Sequence, residues 1–412
     1  MRNVPELRFD GFDGEWEEKK LSKIAKFSKG KGYSKNDLSN GKYPIYLYGQ
    51  MYINYKSQIN EIETYTDSIK VNSILSKGNE VLIPSSGETA EDLARASHMN
   101  ISNVLLGGDL NIIEPIDGVN SHFLALELSN GSVKRSLSKK AQGKSVVHLY
   151  NSDIKNQKIN YTKFEEQEKI GDLFKKIDAL IEIQEGKVSK MEDFKKSMLQ
   201  KMFPKKGELV PEIRFDGFDD KYNEAYLLEI GENIKGSTYS KKDVEEGRGN
   251  SQLIHYGMMF TEYSSIIIES PYKVIEKPNS VKSKVGDLIM PASSTTSDNE
   301  IVTASAVAKE GIIYGGDINI IRTNDIDLAL YLSYYITGTE LKNFIFKNVQ
   351  GTTIHHLYFS SLKNITVKLP PAEEQRTINR FFRNIEKEIA VEEKLLESYK
   401  MMKKSLLQKM FV

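Results

Sequence analysis

Cysteine is absent from the 412 residues, so neither disulfides nor thiolate metal sites can form, and a reducing compartment, the cytoplasm, is expected. Long apolar runs are missing too. No segment approaches the roughly 18 consecutive apolar residues of a membrane-spanning helix, and the opening MRNVPELRFDGFDGEWEEKK lacks the apolar stretch of a signal peptide. Nor is there net charge. With 57 basic and 57 acidic side chains, bulk electrostatics lends no support to a nucleic-acid partner, so any such role must rest on particular residues. The histidines His98, His122, His148, His255, His355 and His356 show no metal-ligand spacing. AQGKS imitates the end of a phosphate-binding loop, but Ser138 stands where the first glycine is needed, and KGKGYSK has Lys35 in place of the third glycine of a dinucleotide fingerprint. No Asn-Pro-Pro-aromatic or Asp-Pro-Pro-aromatic segment for base methylation occurs, and no nuclease cluster of acidic residues with lysine. Neither catalysis nor a bound metal is expected of this chain.

What the chain does have is itself, twice. VPELRFDGFDGEW (4–16) returns as VPEIRFDGFDDKY (210–222), with nine of thirteen positions identical. KGKGYSKNDL (29–38) matches KGSTYSKKDV (235–244), YLYGQMY matches IHYGMMF, and GGDLNII matches GGDINII. AQGKSVVHLYNSDIKNQKI (141–159) returns as VQGTTIHHLYFSSLKNITV (349–367), and KSMLQKMF as KSLLQKMF, always 206 to 208 residues on. Copies that long exclude a solenoid of short units; the chain is a tandem duplication of one module. Of the histidines only His148 and His356 correspond. Flanked by apolar residues, they read as core residues.

Each module changes texture once, from strand-like runs such as YPIYLYG, EVLIPSS and NITVKLP to a long helical pattern. Thr162 and Glu165 have the spacing of a capping box, and LPPAEEQRTI places prolines, then Glu373 and Glu374, at a helix start. From there a 4-3 spacing selects Ile170, Phe174, Ile177, Ile181, Gln184, Val188, Met191, Lys195, Met198 and Met202. The second copy selects Ile378, Phe382, Ile385, Ile389, Glu392, Leu396, Tyr399, Lys403, Leu406 and Met410, with polar interruptions at the same two places. A sustained period of 3.5 is the seam of a coiled coil, and antiparallel pairing of the two helices is expected. The fold class expected is α+β, with two repeated domains at 1–163 and 210–369. Long helices follow at 164–203 and 370–412, with a linker at 204–209. The RFDGF segments are expected to pack Phe9, Phe12, Phe215 and Phe218 near a helix end around an Asp-Gly turn.

The openings, GKSVVHLY and GTTIHHLY, the EEQ helix start with its following I…LF…ID pattern, and the repeated ends together resemble the specificity subunit of type I restriction-modification enzymes. The resemblance covers the whole chain. One departure is YTKFEEQEKI, which lacks the Leu-Pro-Pro of its counterpart. It implies that each globular half is a target-recognition domain reading one half of an interrupted duplex DNA site. It implies that the paired helices set the gap and hold two modification subunits, adenine methyltransferases, and that restriction subunits join them. S-adenosylmethionine, ATP and magnesium would then belong to those partners, not to this chain. If the half-sites differ, the readers differ, which favours polar loops where the copies diverge. The candidates are Lys31, Tyr33, Lys35, Ser86, Thr89, Lys140, Gln142 and Lys144, with Tyr239, Lys241, Ser294, Thr295, Lys347, Gln350, Thr352 and Thr353 in the second copy. Two other classes share parts of the pattern: a stand-alone bivalent DNA-binding regulator, which needs a basic surface, and a coiled-coil adaptor that binds only proteins.

Overall fold

EVLIP and DLIMP become the central strands Glu80–Pro84 and Asp287–Pro291 of two equivalent sheets, and all five residues of each are buried. In the first sheet the order is Ala25–Lys29, Leu110–Pro115, Glu80–Pro84, Ser97–Met99, Gln58–Ile59; in the second it is Glu232–Lys235, Ile318–Arg322, Asp287–Pro291, Ser305–Val307, Ile266–Ile267. Neighbours are antiparallel except the last pair of each sheet, which is parallel. A smaller sheet accompanies each, four-stranded in the first copy and three-stranded in the second. Just before each long helix a two-stranded ladder closes the module, Glu17–Lys20 with Lys158–Tyr161 and Asn223–Tyr226 with Thr366–Leu369. The computed structural model describes residues 3–143, 146–239, 241–245, 249–262, 264–295 and 299–412. It is α+β, as expected, and among the described residues no helix is long and apolar enough to cross a membrane.

Two compact units emerge, Met1–Glu185 with Lys394–Val412, and Gly186–Glu393. Each contains one globular module, the beginning of its own long helix and the end of the other. The helices are Phe164–Lys201 and Ala372–Met410. Of the seam residues, Ile170, Phe174, Ile177, Val188, Met202, Ile378, Phe382, Ile385, Ile389 and Met410 are buried. Ile181, Met191, Met198, Leu396, Tyr399 and Leu406 are half-buried. Ion pairs fix the sense in each unit: Lys403 reaches Asp178 at 2.5 Å and Lys400 reaches Glu185 at 2.7 Å in the first. Lys195 reaches Glu386 and Lys187 reaches Glu392, both at 2.7 Å, in the second. Both pairings are antiparallel. The lysine interruptions of the apolar seam therefore have equivalent partners, Asp178 and Glu386, which also bind the globular module: Ser57 Oγ and Ser265 Oγ donate to them at 2.7 Å.

The repeated opening is a second fastening. Arg8 donates to both carboxylate oxygens of the fully buried Glu166 at 2.6 and 2.7 Å, and Arg214 does the same to Glu374 at 2.8 Å. The amide of Leu7 donates to Lys409 O and that of Ile213 to Lys201 O, both at 2.9 Å. Phe9 and Phe215 lie against the helix-end clusters, and Gly11 and Gly217 take positive φ in the Asp-Gly turns. The helix ends themselves are plugs. Phe411 packs among Trp16, Phe123 and Phe174, and Phe203 among Tyr331, Tyr335 and Phe382. The capping pattern differs from expectation in one respect: the Thr162 hydroxyl donates to Glu166, one residue beyond Glu165, on the carboxylate that Arg8 also holds. Gly171 is explained by closeness, since a Cβ there meets Asn120 Oδ1 at 3.2 Å, whereas Gly186 stands in open space.

Three buried groups in the first unit make its stability depend on pH. Burial pushes His98 and His122 down to about 4, and the neighbouring His98 ring further disfavours the charge of His122. Both stay neutral in the folded state while the unfolded chain protonates, so stability is lost as pH falls from about 6.5 toward about 4, by up to ~3 kcal/mol each. Burial pushes Glu127 up to about 8, against the amide of Asn160 that donates to it at 2.9 Å. This carboxyl acts in the opposite direction: it stays protonated where the unfolded chain ionises, so stability is lost as pH rises from about 4.5 to about 8. The first unit should melt highest near pH 6.5. Glu127→Gln should flatten the alkaline side of a melting-temperature profile; a profile unchanged by that substitution contradicts the assignment.

Candidate nucleic-acid interface

Two of the three candidate loops meet in each module. Val147–His148 pairs with Ser86–Gly87, and Gln142 bridges to His148 through both backbone bonds, at 3.0 and 2.8 Å. In the second module His355–His356 pairs with Ser293–Ser294, and Gln350 bridges to His356 at 3.0 and 2.7 Å. The third loop, Lys31 to Lys35, lies instead on the Gly107-Gly108 turn: Lys31 N donates to Leu106 O and Gly108 N to Tyr33 O, each at 3.1 Å. A Cβ on Gly30 meets Gly107 O at 1.9 Å, as one on Gly236 meets Gly315 O, which is why both copies keep these glycines.

Burial sorts the candidates. Lys31, Lys35, Thr89, Gln142, Thr295, Lys347, Gln350, Thr352 and Thr353 are exposed. Thr89 caps the short helix Ala90–Leu93 by accepting from Asp92 N, and half-buried Lys140 donates to Asp153 O at 3.2 Å. Lys144 lies outside the described residues, and Lys241 opens the helix Lys241–Glu245 with its side chain undescribed. Four expectations are corrected. Tyr33 and Tyr239 are each 5% exposed. Their hydroxyls accept from the amides of Lys70 and Lys277 at 2.7 and 2.8 Å and bond to Ser73 and Ser280, so they pin the loop from inside. Ser86 and Ser294 are buried in the two-stranded pairings just described.

A different pair of residues stands at the surface. His148 and His356 are half-buried, not core residues; their rings stack on Tyr150 at 6.1 Å and on Tyr358 at 5.5 Å, with interplanar angles of 17° and 12°. Both tyrosines are exposed, at 47% and 46%. The intervening Leu149 and Leu357 are fully buried. Period-2 alternation was the signal: with Leu149 inside, its two neighbours point out together. Among the described residues no group of three or more His, Asp or Glu could hold a metal ion.

The comparisons with known proteins bear on this arrangement directly. A family profile described as the type I restriction modification DNA specificity domain matches residues 13–193 and again 220–400. The chain belongs to that family. Among curated relatives of the specificity family, the type I restriction enzyme MjaVIII specificity subunit of Methanocaldococcus jannaschii is 22% identical over 295 residues, spanning 69% of this chain and 67% of that one. The fold is also shared with solved structures. A crystal structure of a type I restriction-modification system S subunit from M. genitalium aligns with a TM-score of 0.60 at 14% identity, over 99% of both chains. A chain from a study of complex assembly and conformational transition of the type I R-M system aligns at 0.57 and 16%, over 96% of this chain and 97% of that one. At such identities these likenesses concern the fold. Within the specificity family, then, this chain has two family domains, each with its own set of exposed polar loops on a matching backbone.

Proposed function

We propose that this chain is the DNA-recognition subunit of a type I restriction-modification assembly, non-catalytic itself, with each module reading one half of an interrupted site. The observation that carries the reading is the pair of equivalent loop sites. In one unit Lys31 is exposed where the other copy has Ser237; in the other unit Thr295, Thr352 and Thr353 are exposed where the first copy has Glu88, Lys144 and Ser145. The same backbone presents different side chains, as two readers of different half-sites require, and base-edge contacts are what carry sequence information.

The paired helices would set the gap between half-sites and dock two modification subunits, which bring S-adenosylmethionine. Support comes from apolar side chains left exposed at equivalent helix positions: Ile183 and Val391, at 69% and 62%, and Phe194 and Met402, at 49% and 41%. Each unit carries one member of each pair, which suits two copies of one partner. Phosphate neutralisation, the main source of raw affinity, would come largely from those partners, in keeping with zero net charge here.

The test is a domain exchange. Residues 1–163 are replaced by the same region of a relative, the chain is assembled with modification subunits, and methylated adenines are mapped. One half of the recognised site should change and the other persist, because mismatch costs of about 1–3 kcal/mol per base pair add for separated positions. A map with both halves altered, or neither, refutes independent reading. The chain without partners should methylate nothing.

A further inference from the structure

We infer that Gln142, His148 and Tyr150, with Gln350, His356 and Tyr358, form a contact to the DNA sugar-phosphate backbone that both modules make alike, whatever bases they read. The inference rests on the DNA reading above and concerns the surface where the two modules agree, not where they differ. Gln-Gly and His-Leu-Tyr are kept in both copies, while the residues between them change from Lys-Ser-Val-Val to Thr-Thr-Ile-His. A group that read bases in unlike half-sites would have diverged with its neighbours; a group that meets the same chemistry twice would not.

The segment is built to hold still. Asn111 Nδ2 donates to Leu149 O at 2.9 Å, and Asn319 Nδ2 to Leu357 O at 2.6 Å. The amides of Leu149 and Leu357 donate to Ser85 O and Ala292 O at 3.0 and 2.9 Å. Asn111 and Asn319 are 0% and 4% exposed, and burying a polar side chain is unfavourable unless the bond it makes is needed. Gly143 and Gly351 have φ of +140° and +106°, and a Cβ on them meets Val146 O at 1.9 Å and Ile354 O at 2.0 Å, so both modules require glycine after the glutamine.

On this fixed backbone stand the stacked rings, each Tyr nearly half exposed, with Lys29 Nζ 5.9 Å from the centre of the Tyr150 ring. Carboxamide, imidazole and phenol all offer donors, phosphodiester oxygens accept, and such neutral contacts set register without reading sequence. The exposed Lys139 and Lys347, three residues before each glutamine, add a cation to each site. A rigid aromatic also loses little entropy on binding.

The test pairs two variants in the complex with modification subunits, Tyr150→Ala with Tyr358→Ala, and Tyr150→Phe with Tyr358→Phe. Anisotropy titrations use a duplex carrying the full site and one of scrambled sequence, and methylated adenines are mapped alongside. The alanine pair should weaken both duplexes by the same factor, roughly 10-fold, and the phenylalanine pair, which keeps the stack, by a few-fold, with the methylated sequence unchanged. Loss confined to the cognate duplex, a relaxed base in either half-site, or unchanged affinity each overturns the inference. A wild-type complex that bound neither duplex is a separate failure, that of the DNA reading itself, and removes the inference with it.

Discussion

Replacing Arg214 by alanine is expected to remove about 3–5 kcal/mol from the second unit, because it leaves the carboxylate of Glu374 buried without its cation. Glu374 is fully buried, and the guanidinium fork satisfies both its oxygens, with the Tyr222 hydroxyl donating as well at 2.8 Å. Much of the loss is the stranded charge, so adding Glu374→Gln to Arg214→Ala should recover a large part of it. Urea unfolding of the four chains of the cycle measures this. A double variant no better than Arg214→Ala alone would mean that the Arg side chain acts by packing and not by neutralising Glu374. Arg8 and Glu166 predict the same in the first unit.

Phe411→Ala should be comparably severe, about 3–5 kcal/mol for a buried phenylalanine. Its ring lies 5.7 Å from Phe123 and 6.3 Å from Trp16, in a cluster closed by Ile170, Phe174 and Met410. The polar contacts that hold the last turn to the module include Leu7 N on Lys409 O, the ion pair of Lys409 with Glu6 at 3.2 Å, and Ser132 Oγ on Val412 O at 3.0 Å. Residues 394–412 should therefore lose hydrogen-exchange protection before the sheet of the same unit does. Uniform loss across that unit would show instead that the plug and the sheet unfold together.

Legibility in the sequence followed the distance over which each residue finds its partner. The duplication and the seam of Ile170, Phe174 and their counterparts were readable because they are periodic, and period survives without knowledge of contacts. Tyr33 was misjudged because glycines and lysines around it suggest an open loop, whereas its hydroxyl partners, Lys70 and Ser73, lie nearly forty residues away. Ser86 and Ser294 failed for the same reason, their strand partners being about sixty residues downstream. The role of the repeated arginine could not be read at all: Glu166 is 158 residues from Arg8. His148 is a different case. Its outward direction follows from strand alternation about Leu149, and only the weight given to divergent positions hid it.

The two helix plugs differ in how much chain each must gather. In the second unit Ile213 meets Lys201 about a dozen residues away, so the contact forms almost as soon as the helix end exists. In the first unit Leu7 meets Lys409, a loop of nearly the whole chain for the same hydrogen bond. Loop-closure entropy puts that roughly thirty-fold difference in loop length at about 3 kcal/mol. During synthesis the second unit has all its residues once Glu393 has emerged, while the first module, made earliest, waits for Lys394–Val412 to complete its core. Translation order and completion order are thus reversed, and the first module spends most of the synthesis time with Trp16, Phe123 and Phe174 uncovered.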